Sequence, residues 1–435
     1  MATSPPTVLL LGTCDTKLEE LLFLRDQILQ ASSQIRVIMI DSGRHEVKND
    51  AINISRAQLI SRYGSGALLT TSDDLPRGEL MEFMSECAAK AIKELFSRRE
   101  IHGMVSAGGS GATSLASAAM REALPVGFPK LIVSTVASGD TGPYVGETDI
   151  TMMYSVVDVA GLNEVLHDIL SNAGAAIAAM ALTYAARQRQ RLQQHDTADG
   201  VIPSKRRIGI TMFGVTTPAV EAIRRHLEFS YPDSSLEIFV FHATGHGGRA
   251  MERLIREGRI DAVLDLTTTE IADHVTGGVM SAGPDRLAAA AQAGIPYIIS
   301  LGATDMTNFG PIATVPEKYK HRKLYKHNSV VTLMRSSAEE GRQIGQHICE
   351  KLRLAKDVGM VQVWIPKGGA SMISTPGGPF ADQEADAALF GAVREGLERS
   401  GIEVVEDERD INDGGFARDI AEALARLMGL ESQQP

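Results

Sequence analysis

The sequence predicts an α/β protein of two doubly wound, mostly parallel-sheet (Rossmann-like) domains joined by a polar linker. Three observations lead there. Short apolar runs alternate along the chain with stretches of helical periodicity, which favours parallel strands covered on both faces. The 435 residues include 41 glycines and only 5% aromatics, a composition suited to tight strand-to-helix turns. One segment, 187–207, reads RQRQRLQQHDTADGVIPSKRR and lacks an apolar stripe, so it divides the chain into halves of similar size. The expected boundaries are 1–190 for the first domain, 191–206 for the linker and 207–435 for the second domain. Length agrees, since about 150 residues per domain is usual.

In the first half, VLLL at 8–11 and VIMI at 37–40 are continuous apolar runs of the kind buried on both faces of a sheet. Strands are expected there and at 103–106 and 131–135, with helices at 17–30, 77–98, 110–119 and 158–184. The second half repeats the alternation. Its strands are expected at 207–212, 237–242, 262–266, 297–301, 361–365 and 403–406. Its helices fall at 218–229, 248–256, 338–354, 383–399 and 416–427. In such folds a ligand sits outside the carboxyl ends of the strands, so the loops after these runs are the ones to search.

Composition removes several function classes. The net charge is −11, from 43 basic and 54 acidic residues, so no basic excess exists to offset nucleic-acid phosphates or an anionic membrane surface. The three cysteines, Cys14, Cys87 and Cys349, are far apart and form no CxxC, against a disulfide framework or zinc cluster and in favour of a reducing compartment. The opening MATSPPTVLLLGTCDTK has no basic n-region. The Ala-rich 173–186 is too short and too interrupted, by Gly174, Thr183 and Tyr184, to read as a membrane span. A cytoplasmic protein is expected.

The sharpest loop is Gly108-Gly109-Ser110-Gly111-Ala112-Thr113, between a strand and a helix. Small residues let backbone N–H groups approach an anion, and the helix N-terminus adds roughly half a positive charge. Ser110 and Thr113 can cap the helix or donate to phosphate oxygens. The loop is neither a P-loop, having no Lys after its glycines, nor GxGxxG, and the next strand ends without an acid for a ribose, which disfavours a dinucleotide fold. After the first run, Asp15 and Thr16 can cap a helix, or Lys17 can meet phosphate while Asp15 contacts ribose or metal. Cys14 reads as a small filler. Arg77-Gly78 opens another helix, where an arginine can fork onto phosphate or lie solvated. Thr135, Ser138 and Asp140, with Thr148-Asp149 further on, suit a ribose or Mg²⁺.

The second half has its own glycine loop, Gly245-His246-Gly247-Gly248-Arg249, again leading into a helix, and Thr268 and Glu270 close the next strand. A small anionic ligand or substrate is one reading. His242 and His246 with Asp265 and Glu270 could hold a metal or run acid–base chemistry, but His-x₃-His across a strand end and a glycine loop is a weak zinc signal. The stretch 308–311 can line the same mouth. No Gly-x-Ser-x-Gly elbow and no glycosidase-like carboxylate pair is legible.

Several phrases occur together and in order: GTCDTK, SAGGSGATSL, STVASGDT, SVVDVAGLN, SNAGAA, ITMFGVTTPAV, VFHATGHGGRAMERL, LDLTTTEIADHVTGGVM, MTNFGP and INDGGFA. From about residue 8 to its end the chain resembles the family that includes the ATP-binding N-terminal region of the tomato mosaic virus resistance protein. That resemblance implies two α/β domains, a homodimer, and ATP with Mg²⁺ in the N-terminal domain. Carried over by motif, the nucleotide contacts are Asp15, Thr16, Lys17, Arg77, Gly78 and Gly109 to Thr113, with Thr135 and Ser138 beside them. The family usually reads GGSGGT, and Ala112 replaces its fourth glycine here, which matters if that position needs φ > 0.

Two function classes stay open. One is a nucleotide-binding protein that extends to an enzyme on a small phosphorylated or carboxylated metabolite, with Asp15, His246 or Glu270 as base. The other is a regulatory or inhibitory protein-binding module using nucleotide for stability or dimerisation. An NAD-dependent dehydrogenase is disfavoured by the missing glycine and acid.

Overall fold

A computed structural model describes residues 5–64, 75–197, 205–232 and 235–431. The chain divides into two compact units, Met1–Gly200 and Val201–Pro435.

In the first unit, strands β1 (Thr7–Gly12), β2 (Arg36–Asp41), β3 (Gly103–Gly108), β4 (Lys130–Ser134) and β5 (Thr151–Tyr154) form one parallel sheet in the order β2-β1-β3-β4-β5. Successive side chains of a strand point to opposite faces. Val8 and Leu10 accordingly pack with the helices Cys14–Ala31 and Glu164–Thr197, through Leu21, Leu24, Leu170 and Ile177. Leu9 and Leu11 pack on the other face with Arg56–Tyr63, Arg77–Ser97 and Ser110–Ala123. Both faces are covered, which is why β1 carries no polar alternation. The strand order reverses between β1 and β3, and the loops after those two strands diverge to opposite faces there.

The expected linker begins too early at 191. The helix Glu164–Thr197 runs through it, because Arg, Gln and Leu are good helix formers whether or not their face is buried. Residues 198–204 of the linker lie outside the described residues. Within this helix Glu164–Arg191 is, among the described residues, long and apolar enough to cross a membrane by length and composition. Its apolar side is already used: Leu166, Leu170, Ala173, Ile177, Ala178 and Ala181 are buried against the sheet.

In the second unit, β6 (Arg206–Met212), β7 (Leu236–His242), β8 (Ala262–Thr267), β9 (Tyr297–Gly302), β13 (Val361–Pro366) and β14 (Glu403–Asp407) make a six-stranded parallel sheet ordered β14-β13-β9-β8-β6-β7. The helices Thr217–Ser230 and Gly414–Leu427 cover one face. His246–Arg256, Thr269–Thr276, Ala288–Ala293, Ala338–Leu352 and Gln383–Leu397 supply the apolar side chains of the other. A second, antiparallel sheet joins β10 (Met306–Phe309), β12 (Thr332–Arg335) and β11 (Leu324–Lys326). Its strands of three or four residues are too short to show a period of two in the sequence.

Candidate functional site

In the first unit the carboxyl ends of β1, β2 and β3 open into a cleft of about 560 Å³ at the point where strand order reverses. Its floor is the loop after β3. Gly109 is the N-cap of Ser110–Ala123, and the first backbone bond of that helix runs from Thr113 N–H to Gly109 O at 3.0 Å. The amides of Ser110, Gly111 and Ala112 precede that bond, as the first N–H groups of any helix do. All four residues from Gly109 to Ala112 line the cleft. Ala112 is not among the residues with positive φ, so replacing the family's glycine strains nothing.

Two cations stand over this loop. Lys17 lies in the first turn of Cys14–Ala31 with φ −136° and ψ 23°, a break in the helix, and lines the cleft. Arg77 opens Arg77–Ser97, and a Cβ placed on Gly111 would lie 3.4 Å from its Nη2. Neither side chain makes a hydrogen bond or ion pair with any described residue. Cations beside helix-start amides are chemistry suited to an anion.

Part of the lining is apolar and adjoins the glycine loop, since a Cβ placed on Gly111 would lie 3.4 Å from Met81 Cε. Leu80, Met81, Met84 and Leu115 make up that part. Arg77, Leu80, Met81 and Met84 stand at i, i+3, i+4 and i+7 of one helix, a single stripe. That spacing was available in the sequence. The cleft therefore combines cationic side chains and helix-start amides with apolar side chains.

The loop after β2 completes the rim with Ser42, Arg44 and His45, which residue types alone did not single out. Asp15 holds it: its Oδ2 accepts Arg44 N–H at 2.9 Å and His45 N–H at 3.1 Å. Asp41 knits the same corner, with Oδ1 accepting Cys14 N–H at 3.1 Å and Gly43 N–H at 2.9 Å. Burial raises the Asp41 carboxyl above its usual range. Burial, and then Asp41, push the Cys14 thiol far up, so it is the inert filler expected. Asp15 is thus a loop staple, and neither it nor Thr16 caps the helix, whose N-cap is Thr13 without a side-chain bond.

The structure brings Asp15, Thr16, Lys17, Arg77, Gly109, Ser110, Gly111 and Ala112 together. It leaves others out. Thr113 is fully buried and turned inward, bonded to Gly109 O at 2.9 Å and to Ser134 Oγ at 2.6 Å, so it is a cap and not a ligand donor. Gly108 ends β3 with its would-be Cβ 2.6 Å from that of Ala112. Gly78 and Ser138 are exposed and do not line the cleft, and Thr135 lies behind Gly109. Asp140 accepts Gly142 N–H, and Asp149 pairs with buried Lys130 and Gly127 N–H, so neither reaches the cleft.

The second glycine loop is built differently. Gly245 has φ +86°, and the amides of Gly245 and Gly248 donate to Glu270 Oε1 at 2.7 and 3.0 Å. Glu270 is fully buried and its other oxygen accepts Arg286 Nε at 2.7 Å. Arg286 also binds Asp265 and Glu252, and is itself buried. A Cβ on Gly248 would lie 2.0 Å from Glu270 Oε2, so only glycine admits that carboxylate. Thr268 is fully buried and donates to Ser300 O at 3.0 Å. The expected substrate roles of Thr268 and Glu270 are therefore corrected: both are interior. Gly247 packs on the His242 backbone, and His246 shares a 3.0 Å hydrogen bond with Arg249. His242, His246, Asp265 and Glu270 do not converge, and among the described residues no group of three His, Cys, Asp or Glu is placed to hold a metal. Asn308, expected at that mouth, is buried on Asp273.

Two family models match the chain: the uncharacterised protein family (UPF0261) N-terminal domain over residues 6–186 and its C-terminal domain over 205–428. A UPF0261 protein of Clostridium tetani is 45% identical over 421 residues, which covers 97% of this chain and 98% of that protein. One from Mesorhizobium japonicum is 42% identical over 420 residues, 96% of this chain and 98% of the other. The ToMV resistance protein Tm-1(GCR237) of Solanum lycopersicum is 37% identical over 441 residues, covering 98% of this chain but 56% of the tomato protein. The chain belongs to the UPF0261 family.

Proposed function

For this member of the UPF0261 family we propose that the N-terminal unit binds ATP in the cleft at the β1/β3 reversal. One observation carries the reading: the side chains of Lys17 and Arg77 and the amides of Ser110–Ala112, uncommitted among the described residues, line one cleft together with Leu80, Met81, Met84 and Leu115. The triphosphate lies on the glycine loop, where the helix dipole and the two cations offset its charge. The base lies on the methionine stripe, whose thioethers make favourable contacts with aromatic rings. Magnesium rides on the phosphate oxygens, since it needs few protein carboxylates when phosphates and water complete its shell.

Calorimetric titration of the full chain with MgATP tests this. Saturable one-to-one binding is expected, and Lys17→Ala with Arg77→Ala weakens it by about a hundredfold, from two lost charge-assisted bonds. Binding that is absent, or unmoved by both substitutions, contradicts the reading. Nucleotide analysis after incubation with a panel of phosphorylated and carboxylated metabolites separates the enzyme from the binding module: turnover supports the first, tight binding without turnover the second.

A further inference from the structure

The chain leaves β5 through a strained turn. Val157 N–H donates to Ser155 O, closing three residues around Val156, whose φ is +62°. A β-branched residue is rarely found there, and Val156 is 58% exposed, so no packing offsets the strain. The turn is held from both sides. Ser155 is fully buried, its N–H donates to Ser134 O, and its hydroxyl donates to Val157 O. Beyond the turn Val159 enters the core, and Gly161 N–H donates to the buried carboxylate of Glu20. Strain kept in place by such anchors is typical of backbone that presents a side chain to a ligand.

The side chain presented is Asp158, which lines the same cleft as Lys17 and the glycine loop. It makes no hydrogen bond or ion pair with any described residue. The other acid of the lining, Asp15, is occupied by the amides of Arg44 and His45. Asp158 is therefore the uncommitted carboxylate of the cleft among the described residues. Beside phosphates it would repel them, so its partner is an uncharged donor group of the ligand. A carboxylate has two oxygens to accept from two adjacent hydroxyls.

Building on the ATP reading, we infer that Asp158 accepts the vicinal hydroxyls of the ribose and selects ribonucleotides over ligands without that diol. Titration of the full chain with ATP and with 2′,3′-dideoxy-ATP, each with Mg²⁺ and with EDTA, tests it. The native chain prefers ATP by about tenfold or more, the worth of hydrogen bonds to a charged group. Asp158→Ala abolishes the preference and leaves dideoxy-ATP affinity within about twofold of native. A preference that survives in Asp158→Ala overturns the inference. So does an equal loss for both nucleotides confined to the Mg²⁺ arm, which assigns the carboxylate to the metal. Native protein that binds both equally overturns Asp158 alone, whereas native protein that binds neither overturns the ATP reading and this inference with it.

Discussion

The two units begin a helix after a glycine-rich loop, and they use the exposed amides in opposite ways. In the N-terminal unit Ser110, Gly111 and Ala112 line a cleft with Lys17 and Arg77, and no carboxylate of a described residue is bonded to those side chains or amides. In the C-terminal unit the corresponding place is taken by Glu270, which accepts Gly245 and Gly248 and is neutralised by Arg286. The physics is shared: helix N-terminal amides want a negative partner. The C-terminal unit supplies that partner from its own chain, and on the proposed reading the N-terminal unit takes it from solution. A glycine loop before a helix thus marks an anion position without saying whose anion fills it.

The largest effect that could break this comparison is removal of the internal anion. Glu270→Ala leaves two loop amides and a buried arginine short of a partner, and breaking a buried ion pair costs about 3–5 kcal/mol. Denaturant unfolding of the full chain should show a loss of that size in the C-terminal unit, with MgATP affinity unchanged. A loss under about 1 kcal/mol would mean the network is not structural.

A smaller effect sharpens the contrast between the glycines themselves. Gly248→Ala places a methyl 2.0 Å from Glu270 Oε2 and 2.5 Å from Arg286 Nε, and overpacking of this kind costs about 1–3 kcal/mol. Gly109→Ala meets nothing nearer than Thr135 Oγ1 at 3.8 Å, at φ −79°, so stability should change by less than about 1 kcal/mol. Thermal unfolding of the two variants side by side reads the difference. Equal destabilisation would contradict the assignment of one loop as filled and the other as open.

Much of this was legible in the residues. The runs VLLL and VIMI place β1 and β2, because strands buried on both faces need continuous apolar sequence. The glycine loop, Lys17 and Arg77 stood out as helix-start residues, and the structure gathers them into one cleft. Burial was not legible. Nothing local distinguishes Thr113, which turns inward to Ser134, from Ser110, which faces the cleft. Glu270 looked like a ligand residue for the same reason: its partner Arg286 lies 16 positions away and is brought to it only by the fold. Asp158 was not singled out because the sequence placed it at the start of a helix over 158–184, which the structure begins only at Glu164.

Hydrogen exchange of backbone amides with and without saturating MgATP tests the central claim most directly. The account predicts slowed exchange in the segment 109–113 and no change in 245–249, where the amides of Gly245 and Gly248 are already bonded to Glu270. Protection at 245–249, or none at 109–113, would contradict it.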